Sequence, residues 1–528
     1  MLEVLPNAGN KNGGESIAIY GYGFGVDPGK LTAKIGGASA TIQKIEQVSS
    51  LSSSLGLDPS FPFPLQRATV QTPAGAAGYA DVVLSSPDGT ATLSRGFSYL
   101  QSEKVFSKAG FYKFLLYDQK RQHIYLSNID HVDVFDLNSN TFLAPIQPPG
   151  GPPPNAGLRG LALTPDNAQL VVADFGAQSV YLINPDNSSG SSSFVGGLAG
   201  LANSGPSRLA ATNAQMVFIG MSTEGNQSGC SACLEQMNVS TLPPTVAPAA
   251  QPEMSFLIGT PYLQSNAAGD EVFFSFASAP DGPVAVWDAS SPGHFETWNA
   301  KASTTDLAVS ADGNTFAVRE NAQTTIRDHS LSLIGVNASS ELERIPTRTE
   351  VPGAALHSSG ALIYVPFLTG PAPELPPATD VTGGVDILDA HSGALLRRIF
   401  LPEPLALLST DIDGQHGAFL AIDENGQRIF ALTNSGLTVV QLSAVPLGIG
   451  SLTPSSGPAS GGTSVTIRGS GFQSGTKLTF GGKNVSFNFK DANTLTFATP
   501  AIGSGPQQLT LTNPSGESVS LDAAFSAN

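Results

Sequence analysis

The sequence predicts an all-β protein: a β-propeller of about seven blades held between two β-sandwiches. Three observations carry this. One short motif, an apolar strand running into a tight polar turn and a second apolar strand, recurs from about Lys104 to Val445. Glycine and proline are abundant, 57 and 39 of 528 residues, as a turn-rich chain requires. The two ends carry short alternating strands bounded by those same residues.

Residues 1–100 form the first unit. Ser16-Ile17-Ala18-Ile19-Tyr20-Gly21 alternates and ends in a glycine-rich run through Gly25. Further short strands follow at Ala68–Thr72, Ala80–Leu84 and Phe97–Tyr99. Alternation sends one face into a core, and glycine supplies the positive φ the turns need. The run Gly13–Gly25 with Lys34-Ile35-Gly36-Gly37 resembles an IPT/TIG domain, which implies an immunoglobulin-like sandwich. Gln47–Leu65, rich in Ser and Pro, departs from that pattern and reads as a loop insertion.

Residues 446–528 give a cleaner copy. Pro454-Ser455-Ser456-Gly457-Pro458, Gly461-Gly462-Thr463-Ser464-Val465-Thr466-Ile467-Arg468-Gly469-Ser470-Gly471-Phe472, Phe480-Gly481-Gly482 and Asn513-Pro514-Ser515-Gly516 all resemble the same family. The expected architecture is therefore a propeller over residues 101–445 flanked by two immunoglobulin-like β-sandwiches. The resemblance implies interaction modules and does not imply an enzyme. DNA-binding relatives use basic loops, which neither near-neutral copy supplies.

Within the propeller segment, Leu161-Ala162-Leu163-Thr164-Pro165-Asp166-Asn167 leads into Leu170-Val171-Val172-Ala173-Asp174. Leu307–Val318 and Leu420–Leu432 repeat the form. Opening strands fall near Leu116, Leu161, Leu209, Leu263, Leu307, Leu356 and Leu420, at spacings of 45, 48, 54, 44, 49 and 64 residues. That period marks propeller blades, each of which buries its apolar faces only by stacking on neighbours. Third strands such as Val132–Asp136, Val180–Asn184, Val284–Asp288 and Val385–Asp389 end in Asp or Asn, which suits an Asx-capped turn. In the blade that opens at Leu307, either Thr324–Asp328 or Ser330–Val336 fits the third strand. The repeats resemble the YVTN family of bacterial propellers. The last blade shows three strands, so residues Val105–Phe111, upstream of the first blade, are expected to supply the fourth and close the ring.

Connections between first and second strands, and between third and fourth, are tight. The other two classes are long at Pro148–Gly157, Ser222–Ala232, Pro366–Gly383 and Pro402–Phe419. In a propeller those two classes share one face, which reads as the binding face.

Charge excludes some partners. Residues 1–100 carry 6 basic and 7 acidic side chains and residues 446–528 carry 4 and 3, so nearly all of the net −17 lies in the ring. Such a field repels nucleic acid and anionic lipid. No apolar run is long enough to span a membrane as a helix. The segment Met1–Asn7 lacks the basic and apolar regions of a signal peptide, so an export signal and further domains are expected upstream.

Candidate chemistry is sparse. Cys230 and Cys233 are the two cysteines; Leu234 excludes covalent haem attachment, and no further ligands match zinc spacing. The remaining reading is a local disulfide that stiffens a long loop in an oxidising compartment. Among seven histidines only His416 falls on the expected binding face, beside Asp411 and Asp413. Those carboxylates suit a hard cation such as calcium, although the further ligands of a calcium loop are missing. No nucleophile elbow or phosphate-binding loop appears.

The first functional reading is an extracytoplasmic, cell-surface or secreted bacterial adhesion protein without catalysis or cofactor. It would bind a protein or glycan through the long-loop face, with the sandwiches as spacers or interaction modules. The alternatives are a lactonase-like hydrolase at the channel mouth, using His416, Asp411 and Asp413, and a structural link in a larger surface assembly.

Overall fold

The computed structural model describes residues 1–47, 65–187, 193–196, 204–223, 234–241, 243–248, 261–276, 283–291, 295–299, 303–321, 329–335, 340–347, 353–369, 382–406 and 419–528. Among the described residues the structure is all-β apart from one 3-10 turn at Pro28–Lys30. Among the described residues, seven four-stranded antiparallel units succeed one another. Six span residues 114–142, 158–196, 204–248, 261–299, 303–347 and 355–400. The seventh joins the strands of residues 420–441 to Ser102–Ser107.

Their first strands touch in cyclic order. Phe114–Asp118 meets Leu158–Leu163, each strand meets the next, and Leu420–Ile422 returns to Phe114–Asp118. The units are thus the blades of a closed ring. The third strand left open between two segments is His329–Gly335. The closing strand Ser102–Ser107 begins three residues earlier than the segment expected from sequence. It pairs antiparallel with Gly436–Gln441, Val105 lying opposite Thr438.

The ring has no single core. Each seam between adjacent blades buries its own cluster, as the stacking argument requires. Val171, Val180, Leu209, Ile219 and Met237 fill the seam between the second and third blades. Phe218, Phe274 and Trp287 fill the next, with Phe218 and Trp287 edge-on at 5.1 Å. Ile124, Phe135, Phe419, Phe430 and Leu437 fill the seam where the ring closes. Phe106 of the closing strand packs on Phe135 of the first blade, ring centroids 4.5 Å apart.

Turn chemistry explains the short connections. Asp166 Oδ1 accepts from the Ala168 amide at 3.0 Å, with Asn167 at φ 57°, and Asp312 Oδ1 accepts from Asn314 at 3.1 Å. At third-strand ends Asp136 accepts from Asn138 and Ser139, and Asp389 from His391 and Ser392. These are the Asx turns read from the sequence. On the same face Arg121 joins Asp118 and Asp186 across the first and second blades. Arg428 joins Asp423 to Tyr117 and Gln122 across the closing seam.

The two sandwiches are packed against the ring. The C-terminal one pairs a four-stranded with a five-stranded sheet around Val465, Ile467, Phe480, Leu495, Phe497 and Leu509. It sits on the short-turn face of the sixth and seventh blades. A Cβ at Gly450 would lie 1.9 Å from Ser359 O, so glycine permits this approach, and Asn493 Nδ2 donates to Asn425 Oδ1 at 2.9 Å. The N-terminal sandwich is continuous with the sixth blade: Ala8–Gly9 pairs in parallel with both Gly89–Tyr99 and Leu395–Phe400. Asn7 clamps this junction, donating to Leu396 O at 3.1 Å and accepting from the Arg398 amide at 2.7 Å. Tyr79 of the N-terminal sandwich, Arg397 of the ring and Glu517 of the C-terminal sandwich meet. The guanidinium lies 4.6 Å from the Tyr79 ring centre, and the Tyr79 hydroxyl is 3.3 Å from Glu517.

Ring closure yields the first prediction. Phe106→Ala removes a half-buried ring that bridges the closing seam, and should lower unfolding free energy by about 2 kcal/mol. Chemical denaturation of the full chain measures it; an unchanged midpoint would mean the closing strand does not hold the seam.

Candidate functional site

The long-loop mouth of the central channel is the candidate site. Its floor comes from the first strands of the first four blades. Arg208, on the third blade, lies 4.7 Å from the Phe114 ring centre on the first blade and 4.6 Å from that of Tyr262 on the fourth. The side chain therefore reaches across the channel between two rings. Arg159, on the second blade, stacks 3.6 Å over Phe175 and donates to Ser222 Oγ at 3.0 Å. In a ring of net negative charge, this mouth is guanidinium and aromatic. That chemistry suits anionic and planar groups.

Buried carboxylates brace the rim. Asp174 Oδ1 accepts from the amides of Gly157 and Ala177 at 2.9 and 3.0 Å, and its Oδ2 accepts from Tyr181 Oη at 3.0 Å. In the first blade Asp133 accepts from Tyr112 Oη at 3.1 Å and pairs with Lys108 Nζ at 2.7 Å. Asn128 Oδ1 accepts from the amides of Phe111 and Ile129 at 3.1 and 2.9 Å. These bonds fix two connections while leaving apolar side chains outside: Phe111 is 62% exposed and Ile129 47%.

Glu235 stands apart. It lies at the long-loop end of the strand Leu234–Asn238, is 1% exposed, and neither carboxyl oxygen has a hydrogen-bond partner. Burial pushes its carboxyl up to about 7. Strand parity was the available signal, since Glu235 shares an inward register with Met237, which is buried between the second and third blades. Arg208 gave no such signal, because Phe114 and Tyr262 lie on other blades, and Arg159 likewise donates to Ser222 of the next blade.

The metal candidates Asp411 and Asp413, with His416, lie outside the described residues, as do Cys230 and Cys233 and most of the Gln47–Leu65 insertion. Among the described residues no group of three or more His, Cys, Asp or Glu side chains is placed to hold a metal ion. Trp287 is buried at 1% exposure, as core packing requires, and pairs through its strand with that of Trp298.

Both sandwiches match the IPT/TIG domain. The matched residues are 1–99 and 447–527. The chain matches none of the curated proteins. Among solved structures it is similar to the Cps50 (Swd1) β-propeller domain of Myceliophteria thermophila, with 11% identity, TM-score 0.46, 65% of this chain and 100% of that one. It is also similar to a chain of a mitotic checkpoint complex, at 12% identity and TM-score 0.46 over 65% and 94% of the two chains. A Bacteroides thetaiotaomicron protein of unknown function aligns over 83% of this chain and 96% of its own, at 12% identity and TM-score 0.36. These likenesses are distant and concern the fold alone. IPT/TIG domains on a propeller fit a binding or structural role.

Glu235 gives the second prediction. Its folded carboxyl titrates above the ordinary range near 4.5, so the native state holds the proton longer than the unfolded chain. The resulting destabilisation is absent below about pH 4.5 and complete above about pH 7. Glu235→Leu should therefore raise stability at pH 8 by on the order of 2–3 kcal/mol relative to its effect at pH 4. Denaturant titrations at the two pH values measure this. Equal effects at both would show that the carboxyl is not ionised at a cost.

Proposed function

We propose that the protein is an extracytoplasmic bacterial binding protein, exposed at the cell surface or secreted, whose ring presents its long-loop face to a partner protein. The observation that carries this reading is the distribution of covered and open surface. The N-terminal sandwich takes the outer edge of the sixth blade, and the C-terminal sandwich takes the short-turn face of the sixth and seventh. Among the described residues neither touches the rim of the first blade, where Phe111 and Ile129 stand exposed on connections fixed by Asn128 and Asp133. Apolar side chains held open on a pre-ordered rim mark an interaction surface, and pre-ordering lowers the entropy lost on binding. A glycan partner would use the aromatic and guanidinium mouth instead.

The third prediction follows. Phe111→Asp combined with Ile129→Asp should weaken binding at least tenfold to whichever purified surface protein or arrayed glycan the wild-type chain binds. Asp166→Asn on the opposite face should leave it unchanged. The reverse pattern would move the binding surface to the short-turn face.

A further inference from the structure

The seam between the N-terminal sandwich and the ring encloses a cleft of about 540 Å³. Asn10 and Glu15 line it from the sandwich, Glu103 from the closing strand, and Phe400, Leu401 and Pro402 from the sixth blade. Two carboxyl groups carried by different domains thus face one small, largely apolar space. Glu15 Oε1 accepts from the Asn10 amide at 2.9 Å, while Glu15 Oε2 and Glu103 Oε1 are buried with no hydrogen-bond partner. Gly9 makes room for this: a Cβ there would lie 1.7 Å from Glu15 Oε2. The pair adjoins both elements that join the domains, the bridging strand Ala8–Gly9 and the closing strand Ser102–Ser107.

The surroundings provide little to stabilise two negative charges. Among the described residues no Lys, Arg or His lines the cleft, and Lys11 on the same loop is exposed. The sixth blade contributes apolar side chains, and the strand Gly436–Gln441 places Val440 opposite Glu103. Tyr99, on the neighbouring sandwich strand, is itself pushed up to about 12 by burial and by the charge of Glu15. Burial first, and then Glu15, push the Glu103 carboxyl up to about 7 against a hydrogen bond from Asn10. Burial raises Glu15 as well, against the Asn10 amide. A seam built only for strength would place an amide or an ion pair here, since ionised carboxyls without counter-charge oppose docking.

We propose that this seam is a proton-operated latch: the N-terminal sandwich stays firmly docked on the ring while Glu15 or Glu103 is protonated, and docking loosens when both are ionised. The docked form binds protons more tightly than the undocked form, in which both carboxyls meet water. Docking is therefore strongest below the ordinary carboxyl range near pH 4.5 and weakens as pH rises towards about 7. His357, buried beside the C-terminal sandwich and held down to about 4 chiefly by burial, acts in the opposite direction. It costs stability as pH falls below its ordinary 6.5, so the two effects have opposite slopes.

Hydrogen exchange on the full chain tests the latch. The amides to follow are Ser98 and Leu100, which donate to Asn7 O and Gly9 O, and those of the closing strand. After correction for intrinsic rates, protection there should fall about tenfold or more between pH 5.5 and pH 8, while the inner strands of the first blade, which hold neither this pair nor Glu235, keep theirs. Glu103→Gln should abolish the fall and hold the seam protected at pH 8. Glu15→Gln should flatten it and serves as a second variant should the first not fold. Wild-type protection that does not change with pH, or a Glu103→Gln chain that keeps the wild-type slope, would overturn the proposal.

Discussion

The backbone pairing that closes the ring constrains everything else in this molecule. A propeller blade with three strands leaves a row of unpaired amides and carbonyls at its outer edge, and a ring with a gap leaves two apolar blade faces bare. The chain meets both demands by threading Ser102–Ser107 into the last blade before it begins the first. The N-terminal sandwich ends at Tyr99, so it must lie beside the seventh blade. The chain leaves that same blade at Gln441 and enters the second sandwich at Gly448, which must also lie there. One closing strand thus dictates where both terminal domains are anchored.

Grouping the sandwiches at one sector divides the ring's surfaces. The short-turn face holds many of the described acids, because Asp is the side chain that caps those turns: Asp136, Asp166, Asp288, Asp312, Asp389 and Asp423 all accept from backbone amides there. The long-loop face is built differently. Among its described acids Asp133 and Asp174 point inward as braces at 0% exposure while Asp130 stands exposed, and its outward apolar side chains include Phe111 and Ile129. Among the described residues, the Asx-turn carboxylates and the exposed Phe111 and Ile129 therefore lie on opposite faces. A single repeat motif produces this, since the same blade offers tight turns at one end and long connections at the other.

Much of the fold was legible in the sequence because it is local and repeated. Leu161–Asp174 contains a strand, an Asx turn and a second strand within fourteen residues. The missing strand was legible by counting, and the structure places it a few residues upstream of Val105–Phe111. The site was less legible, because its contacts cross between blades and domains. Nothing near Arg208 announces Phe114 and Tyr262 as its neighbours, and Glu15 and Glu103 meet only after the ring has closed. Glu235 is an intermediate case: parity places it inward, but only the packed structure shows a carboxyl without a partner. The docking of the sandwiches onto the ring was also hidden, since Gly450 and Gly9 read as ordinary turn or strand glycines until the backbone and carboxyl they accommodate are seen.

The central claim is that closure fixes both sandwiches on one sector of a rigid ring. Small-angle scattering of the full chain tests it most directly. A docked arrangement gives a single-peaked distance distribution and a radius of gyration near ~24 Å, the value for a compact chain of this length. A clearly larger radius, with separate peaks in the distance distribution, would show the three domains strung out and would contradict the account.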